Sequence, residues 1–204
     1  MDSAAILRSR HMARPKEFDP DDAAQEAMEA FWERGYAATS VNDLLAEMGL
    51  NRGSLYGTFG DKKQLFLAAL DRYEAQRGDE LRVMLERPGS AKTALVDFIH
   101  VAADCCTSQE GRRGCLAGKA AMELAPHDKD VANWLKKFHR RNIDLVARTI
   151  ARGQEQGEID PTLDARAVAR FLLNAMTGLR LLGTMSPSEA EVQDVVELTL
   201  KVLD

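Results

Sequence analysis

The 204-residue chain is long enough for one large domain or two small ones. Its 45% hydrophobic and 29% charged residues exclude a mainly disordered chain, and no stretch approaches the ~18 uninterrupted apolar residues of a membrane helix. A net charge of −5 has the wrong sign for a protein that coats nucleic acid unselectively, so any such contact needs a local basic face.

The opening MDSAAILRSRHM carries basic residues but no apolar run of a secretory signal. Residues 1–12 read as a cloning-derived leader, with Met12 as the natural start, and a cytoplasmic protein is expected. Asp19-Pro20-Asp21-Asp22 then starts a helix: Asp19 caps, Pro20 suits the first turn, and the acids favour the positive end of the dipole. Ala23, Ala24, Ala27, Met28, Phe31 and Trp32 follow at helical spacing, up to Gly35. Ser40 and Asp43 form a capping box for a second helix, which buries Val41, Leu44, Leu45 and Met48 and stops at Gly49. Asn51 caps a short third helix to about Phe59. Asp61 and Gln64 open a fourth, with Leu65, Phe66, Ala69, Leu70 and Tyr73 on its apolar side. After the break at Pro88-Gly89-Ser90, further helices are expected at 91–107, 115–125, 128–156, 163–185 and 188–203. Ser186-Pro187-Ser188-Glu189 reads as the start signal of the last, with Ser186 as cap. The fold class is all-α, with about nine helices.

Ser40 to Phe59 is two helices joined by a tight turn at Gly49-Leu50-Asn51, the helix-turn-helix arrangement. Two glycines among the nine residues from Asn51 to Phe59 weaken a helix by about 1 kcal/mol each. They also remove bulk where a helix must approach a DNA backbone. Leu55 and Phe59 can anchor one side, leaving Arg52, Ser54, Tyr56 and Thr58 with hydrogen-bonding heads for phosphates and base edges. From Met12 to Leu65 there are six basic and ten acidic residues, but Asn51 to Lys63 holds three basic residues against Asp61 alone. The front of this unit is therefore mildly basic and its back acidic.

The run TSVNDLLAEMGLNRGSLYGTFGDKKQLFLAAL closely resembles the N-terminal domain of the TetR/AcrR family, and the likeness extends from Phe18 to Leu70. That resemblance implies a homodimeric regulator holding double-stranded operator DNA at one end and a small effector at the other. It implies that Tyr56 and Lys62 hold phosphates, that Thr39 and Ser40 contact the backbone, and that Arg52 reads or steers in the major groove. Ser54 and Thr58 are further candidates, and Arg14 and Lys16 form a basic arm. The organisation expected is a leader at 1–12, a DNA-binding domain at 13–78 with the fourth helix as linker, and an effector-binding and dimerisation domain at 79–204.

In the second half, the last two helices are apolar on more than one face, which suggests burial against a second copy. The expected dimer interface is Phe171, Leu172, Ala175, Leu179, Leu182, Val192, Val195, Val196, Thr199, Leu200 and Leu203. Candidate pocket residues are Phe98, His100, Met122, Trp134, Phe138, His139, Phe171 and Met176, for each of which core packing is the competing reading. Their character favours an apolar or aromatic effector. Lys119 and Arg180 would reverse that preference if they pointed inward.

Cys105, Cys106 and Cys115 fit neither a disulfide framework nor a zinc site. Arg112, Arg113 and a helix N-terminus beside Cys115 favour a thiolate, which would suit a thiol sensor, whereas a small buried hydrophobe is the plainer reading. The histidines are isolated and no nucleophile–base pair, metal-ligand cluster or phosphate-cradling loop is visible, so neither an enzyme nor a cofactor is expected. A helical ligand-binding or thiol-sensing protein of the same fold, acting as activator or scaffold, is the alternative to a repressor.

Overall fold

The computed structural model describes residues 18–204 and shows nine α-helices and no strand among them. The leader expected at 1–12, and the arm residues Arg14 and Lys16, lie outside the described residues. Helices α1 (Pro20–Arg34), α2 (Val41–Glu47), α3 (Arg52–Phe59) and α4 (Lys62–Leu85) begin at the expected caps: Asp19, Ser40, Asn51 and Asp61 each accept a backbone N–H of the first turn. Helix α5 (Ala91–Thr107) leads through a 3-10 turn (Glu110–Arg113) to α6 (Leu116–Glu123). The long α7 (Lys129–Glu155), α8 (Ala165–Gly183) and α9 (Glu189–Leu200) complete the chain, with a closing 3-10 turn at Lys201–Leu203. Among the described residues no helix is long and apolar enough to cross a membrane.

The start of α9 corrects one expectation. Ser188 is its cap, in a capping box with Glu191, while Ser186 sits outside the helix at φ 55°. The segment holds two overlapping Ser-x-x-Glu patterns. Ser186 is used to leave α8, its N–H donating to Gly183 O at 3.2 Å, so only the later pattern is free to cap.

Two apolar cores organise the molecule. The first joins Phe31, Leu44, Leu55 and Phe66 from α1–α4 with Leu116, Ala117 and Ala120 of α6 and Val131 of α7. The second packs α5, α7, α8 and α9 around Leu95, Ile99, Val146, Ile150 and Leu172. Helix α4 serves both, burying Leu65, Phe66 and Tyr73 in the first and Leu85 in the second. The second core absorbs much of the expected dimer face. Leu172, Leu179, Val192, Val196, Thr199 and Leu203 are buried within the single chain, because α8 and α9 both pack on α5. Ala175, Leu182, Val195 and Leu200 are half-buried beside them. Of the expected face Phe171 alone is exposed, and the other large apolar residues exposed nearby are Leu181 on α8, Leu198 on α9 and Met185 in the link between them.

Candidate nucleic-acid interface and inner cavity

Helix α3 is held from one side. Leu55 is fully buried and Phe59 half-buried against the first core, so the opposite face is free. On it Tyr56 is 40% exposed and Arg52 is exposed, with Ser54 and Thr58 half-buried at the edges. Arg52 is steadied across the turn: its Nη2 donates to Asn42 Oδ1 on α2 at 2.7 Å. Ser40 is exposed, and its Oγ accepts Asp43 N–H at 3.2 Å. The reciprocal bond, Ser40 N–H to Asp43 Oδ2 at 2.8 Å, completes the capping box, and hydrogen bonds from Ser40 hold the Asp43 carboxyl below its usual range.

Thr39 does not join this surface. It is fully buried, and its hydroxyl donates to Gly35 O at 2.7 Å, closing the α1–α2 turn, so it is a structural residue. Lys62 is half-buried: its Nζ donates to Tyr36 O at 2.6 Å and lies 4.1 Å from the centre of the Tyr36 ring. Burial pushes the Lys62 ammonium down from its usual pKa, although Glu123 and Asp43 oppose this. The mildly basic front is thinner than the sequence suggests, because Lys63 turns away to Asp130 at 2.8 Å and Asp128 at 3.3 Å on α7. Arg34 is likewise paired with Glu47 at 2.7 Å.

Behind this surface, two adjoining cavities lie between α4, α5, α6, α7 and α8. They share Leu81, Phe98 and Arg180 in their walls. The inner one, about 110 Å³, also meets Trp32, Tyr73 and Cys105; the outer, about 250 Å³, meets Cys115, Phe138 and Met176. Of the expected pocket residues, Phe98, Phe138, His139 and Met176 line a cavity. The others do not. Met122 is 68% exposed on the outer side of α6, and His100 and Phe171 also face outward. Trp134 stacks on Phe138 and donates Nε1 to Asp71 Oδ1 at 2.6 Å, on the surface of the first core.

Arg180 points inward and Lys119 does not. Lys119 Nζ donates instead to Trp32 O at 2.6 Å and Glu33 O at 3.1 Å, satisfying carbonyls at the end of α1. The cysteines differ from one another. Cys106 is buried with its thiol donating to Leu179 O at 3.1 Å, and burial pushes its pKa up. Cys105 borders the inner cavity. Cys115 borders the outer one, 3.4 Å from Tyr73 Oη and 4.0 Å from Arg180 Nη1. The guanidinium near Cys115 is thus Arg180, whereas Arg113 is drawn away to Glu29 and Glu33.

Trp32 was legible only as a core residue of α1, yet it forms a wall of the inner cavity. Its Nε1 donates to Gly114 O at 2.9 Å, and its ring lies under the guanidinium groups of Arg113 and Arg77 at 4.3 and 5.0 Å. Tyr73, edge-on to it at 5.2 Å, read from sequence as one apolar position of α4; no sequence signal marked its hydroxyl as a cavity group.

Comparison with known proteins agrees with this arrangement. Residues 25–69 match the model of the bacterial regulatory proteins of the tetR family, and residues 91–198 match a tetracyclin repressor-like C-terminal domain. The chain is 33% identical to the HTH-type transcriptional regulator YezE of Bacillus subtilis, over 95% of this chain and 100% of that one. It is also 33% identical to the HTH-type transcriptional repressor ComR of Escherichia coli, over 97% of this chain and 93% of that one. Among solved structures, a cysteine mutant of the TetR family regulator CifR, complexed with 26-bp operator DNA, superposes with a TM-score of 0.82 at 31% identity. That match covers 94% of this chain and 100% of CifR. The helix-turn-helix at α2–α3, the helical body behind it and these likenesses make the chain a member of the TetR family of bacterial transcriptional regulators.

Proposed function

We propose that the chain is a repressor that holds a palindromic operator as a two-fold dimer and lets go when a small molecule fills the cavity beside Arg180. The observation that carries the DNA half is the free face of α3, where Tyr56 and Arg52 stand exposed over the Leu55 anchor. Arg52, Ser54, Tyr56 and Thr58 contact bases and phosphates in this reading, with Ser40 and Lys62 on the flanking backbone and Arg14 and Lys16 as the arm. With few free cations per protomer, useful affinity needs two protomers. The exposed apolar residues Phe171 and Leu181 on α8, Met185 in the link and Leu198 on α9 supply a self-complementary face for that pairing, at 47–65% exposure in the single chain. The domain boundary lies within α4, near residue 78, and the protein works in the cytoplasm without catalytic activity.

The coupling runs through α4 and also through α6. Helix α6 begins beside the cavity at Cys115 and is tied to the DNA-binding unit by Lys119 and by Glu123, which accepts Ala37 N–H at 3.0 Å. A coupling of about 1–3 kcal/mol between the two sites is enough for release. A second reading, in which an electrophile reacts with Cys115, is favoured by its half-buried place in the cavity wall, whereas Cys106, also beside a cavity, is buried with its thiol donating to Leu179 O.

The test is fluorescence anisotropy on the DNA flanking the gene, across a salt series, with and without Tyr56→Ala. Selective binding that falls with salt and is lost in the variant supports the repressor; equal binding by the variant removes α3 from the mechanism.

A further inference from the structure

We infer that the effector is a small organic carboxylate, its anionic head seated on Arg180 and its apolar body lying along Phe98, Leu173 and Met176. The inference rests on the cavity being the effector site and names the chemical class that this site takes.

Arg180 lies in the wall common to both cavities, on the inward side of α8, and is half-buried. Among the described residues no carboxylate pairs with it. Among the described residues its guanidinium makes one side-chain hydrogen bond, to the Cys115 sulfur at 4.0 Å, and the ionisable groups that bear on it are Tyr73, Cys115 and Cys105. Other arginines lining or flanking the cavities are ion-paired: Arg77 with Glu80 and Glu110, Arg113 with Glu29 and Glu33. A half-buried cation without an anion beside it is unfavourable, and a bound carboxylate would offset this with charge-assisted, bidentate hydrogen bonds. The site carries little to repel an anion. Glu80 is the single acidic residue in either wall, and it is already paired with Arg77. Tyr73 adds a donor, because its hydroxyl meets only the Cys115 sulfur and burial keeps it protonated. Besides His139, Asn142 and Thr177, the rest of the larger cavity's wall is mainly apolar, so a bare inorganic anion would leave Phe98, Leu173 and Met176 uncovered. A cavity of about 250 Å³ falls below the ~300–1,000 Å³ typical of drug-sized ligands, which limits the body to a short chain or one ring.

The experiment compares sodium hexanoate and sodium benzoate with hexanamide and benzamide, which match them in shape but lack the charge. Thermal melting and Trp fluorescence are followed for the full-length protein, Arg180→Gln, Arg180→Lys and Cys115→Ser. The acids are expected to raise Tm by several degrees at saturation and to perturb Trp32, while the amides do neither. Arg180→Lys, which keeps the charge but not the fork, should weaken binding roughly tenfold and Arg180→Gln should abolish it. Cys115→Ser should keep it, which separates anion recognition from thiol chemistry. Equal stabilisation by acid and amide, persistence of the acid effect in folded Arg180→Gln, or no stabilisation by either acid overturns the inference. Operator binding, read in the same samples, stands apart. Tyr56-dependent DNA binding with no response to the acids defeats the carboxylate inference alone. Acid binding that leaves the DNA complex intact defeats the effector reading and keeps Arg180 as an anion site.

Discussion

The Glu123 carboxylate of α6 reaches across to the α1–α2 turn and accepts the N–H of Ala37 at 3.0 Å, directly against Gly35. Gly35 has φ 84°, and a side chain there would collide with the Glu123 carboxylate. The bond is exposed, so Glu123→Ala should cost about 1 kcal/mol or less in stability. Operator affinity without ligand should change little, while ligand-driven release is blunted. Anisotropy titrations with and without ligand check this; release of undiminished amplitude would take Glu123 out of the coupling.

Arg52 is presented to DNA by Asn42, whose Oδ1 accepts from Nη2 at 2.7 Å. Arg52→Ala should cost about 1–3 kcal/mol on the cognate operator and relax selectivity at one base position. Asn42→Ala should show a smaller loss of the same kind, since the guanidinium remains but is no longer aimed. A variant panel against single-base operator mutants reads both.

Gly57 sits in α3 with nothing within 4 Å of where a Cβ would stand. Gly57→Ala should therefore stabilise the helix by up to about 1 kcal/mol. If α3 docks closely on DNA, the same methyl lowers operator affinity. A raised Tm with weakened binding is the expected pair of results, and raised Tm with unchanged affinity would show that α3 stands off the backbone at this point.

Gly111 offers the opposite case. A Cβ there would run into the backbone carbonyls of Cys105 and Cys106, which are not the ends of flexible side chains. Gly111→Ala should destabilise by about 1–3 kcal/mol or more, by forcing the 3-10 turn away from α5. Denaturant unfolding measures it.

Several carboxyls are held below their ordinary pKa by hydrogen bonds: Asp43 by Ser40, Asp128 by the N–H of Val131, Glu158 by that of Lys92, Asp160 by Thr162 and Glu191 by Ser188. A depressed carboxyl adds stability above its unfolded pKa of about 3.9–4.3 and loses it as pH falls through the folded value. Their contribution to Tm should thus be flat above about pH 5 and decline below about pH 4. Asp43→Asn should make that acid decline shallower, as melts over the acid range would show.

The caps and the apolar spacing were legible because they are local: Asp19, Ser40, Asn51 and Asp61 each act within one helical turn. The exposed face of α3 is legible for the same reason, because Leu55 and Phe59, at i and i+4, anchor the opposite side. Pairings across tens of residues were not. Nothing near Lys62 announces that Tyr36 O takes its ammonium, and nothing near Lys63 announces Asp130. Burial within the expected dimer face is not legible for the same reason: Leu172 and Phe171 are both apolar on one helix, and the position of α5 decides which of them is inside the single chain.

Trp32 belongs by sequence to the DNA-binding unit but completes the cavity wall, with Gly114, Arg113 and Arg77 as its partners. Sensing and gripping therefore do not separate at α4. A chimaera that joins this head to the body of another family member would carry an indole with no carbonyl to meet and two stacking cations missing. Interchangeable parts, in this protein, would have to be cut with α1 and the Gly114 loop kept together.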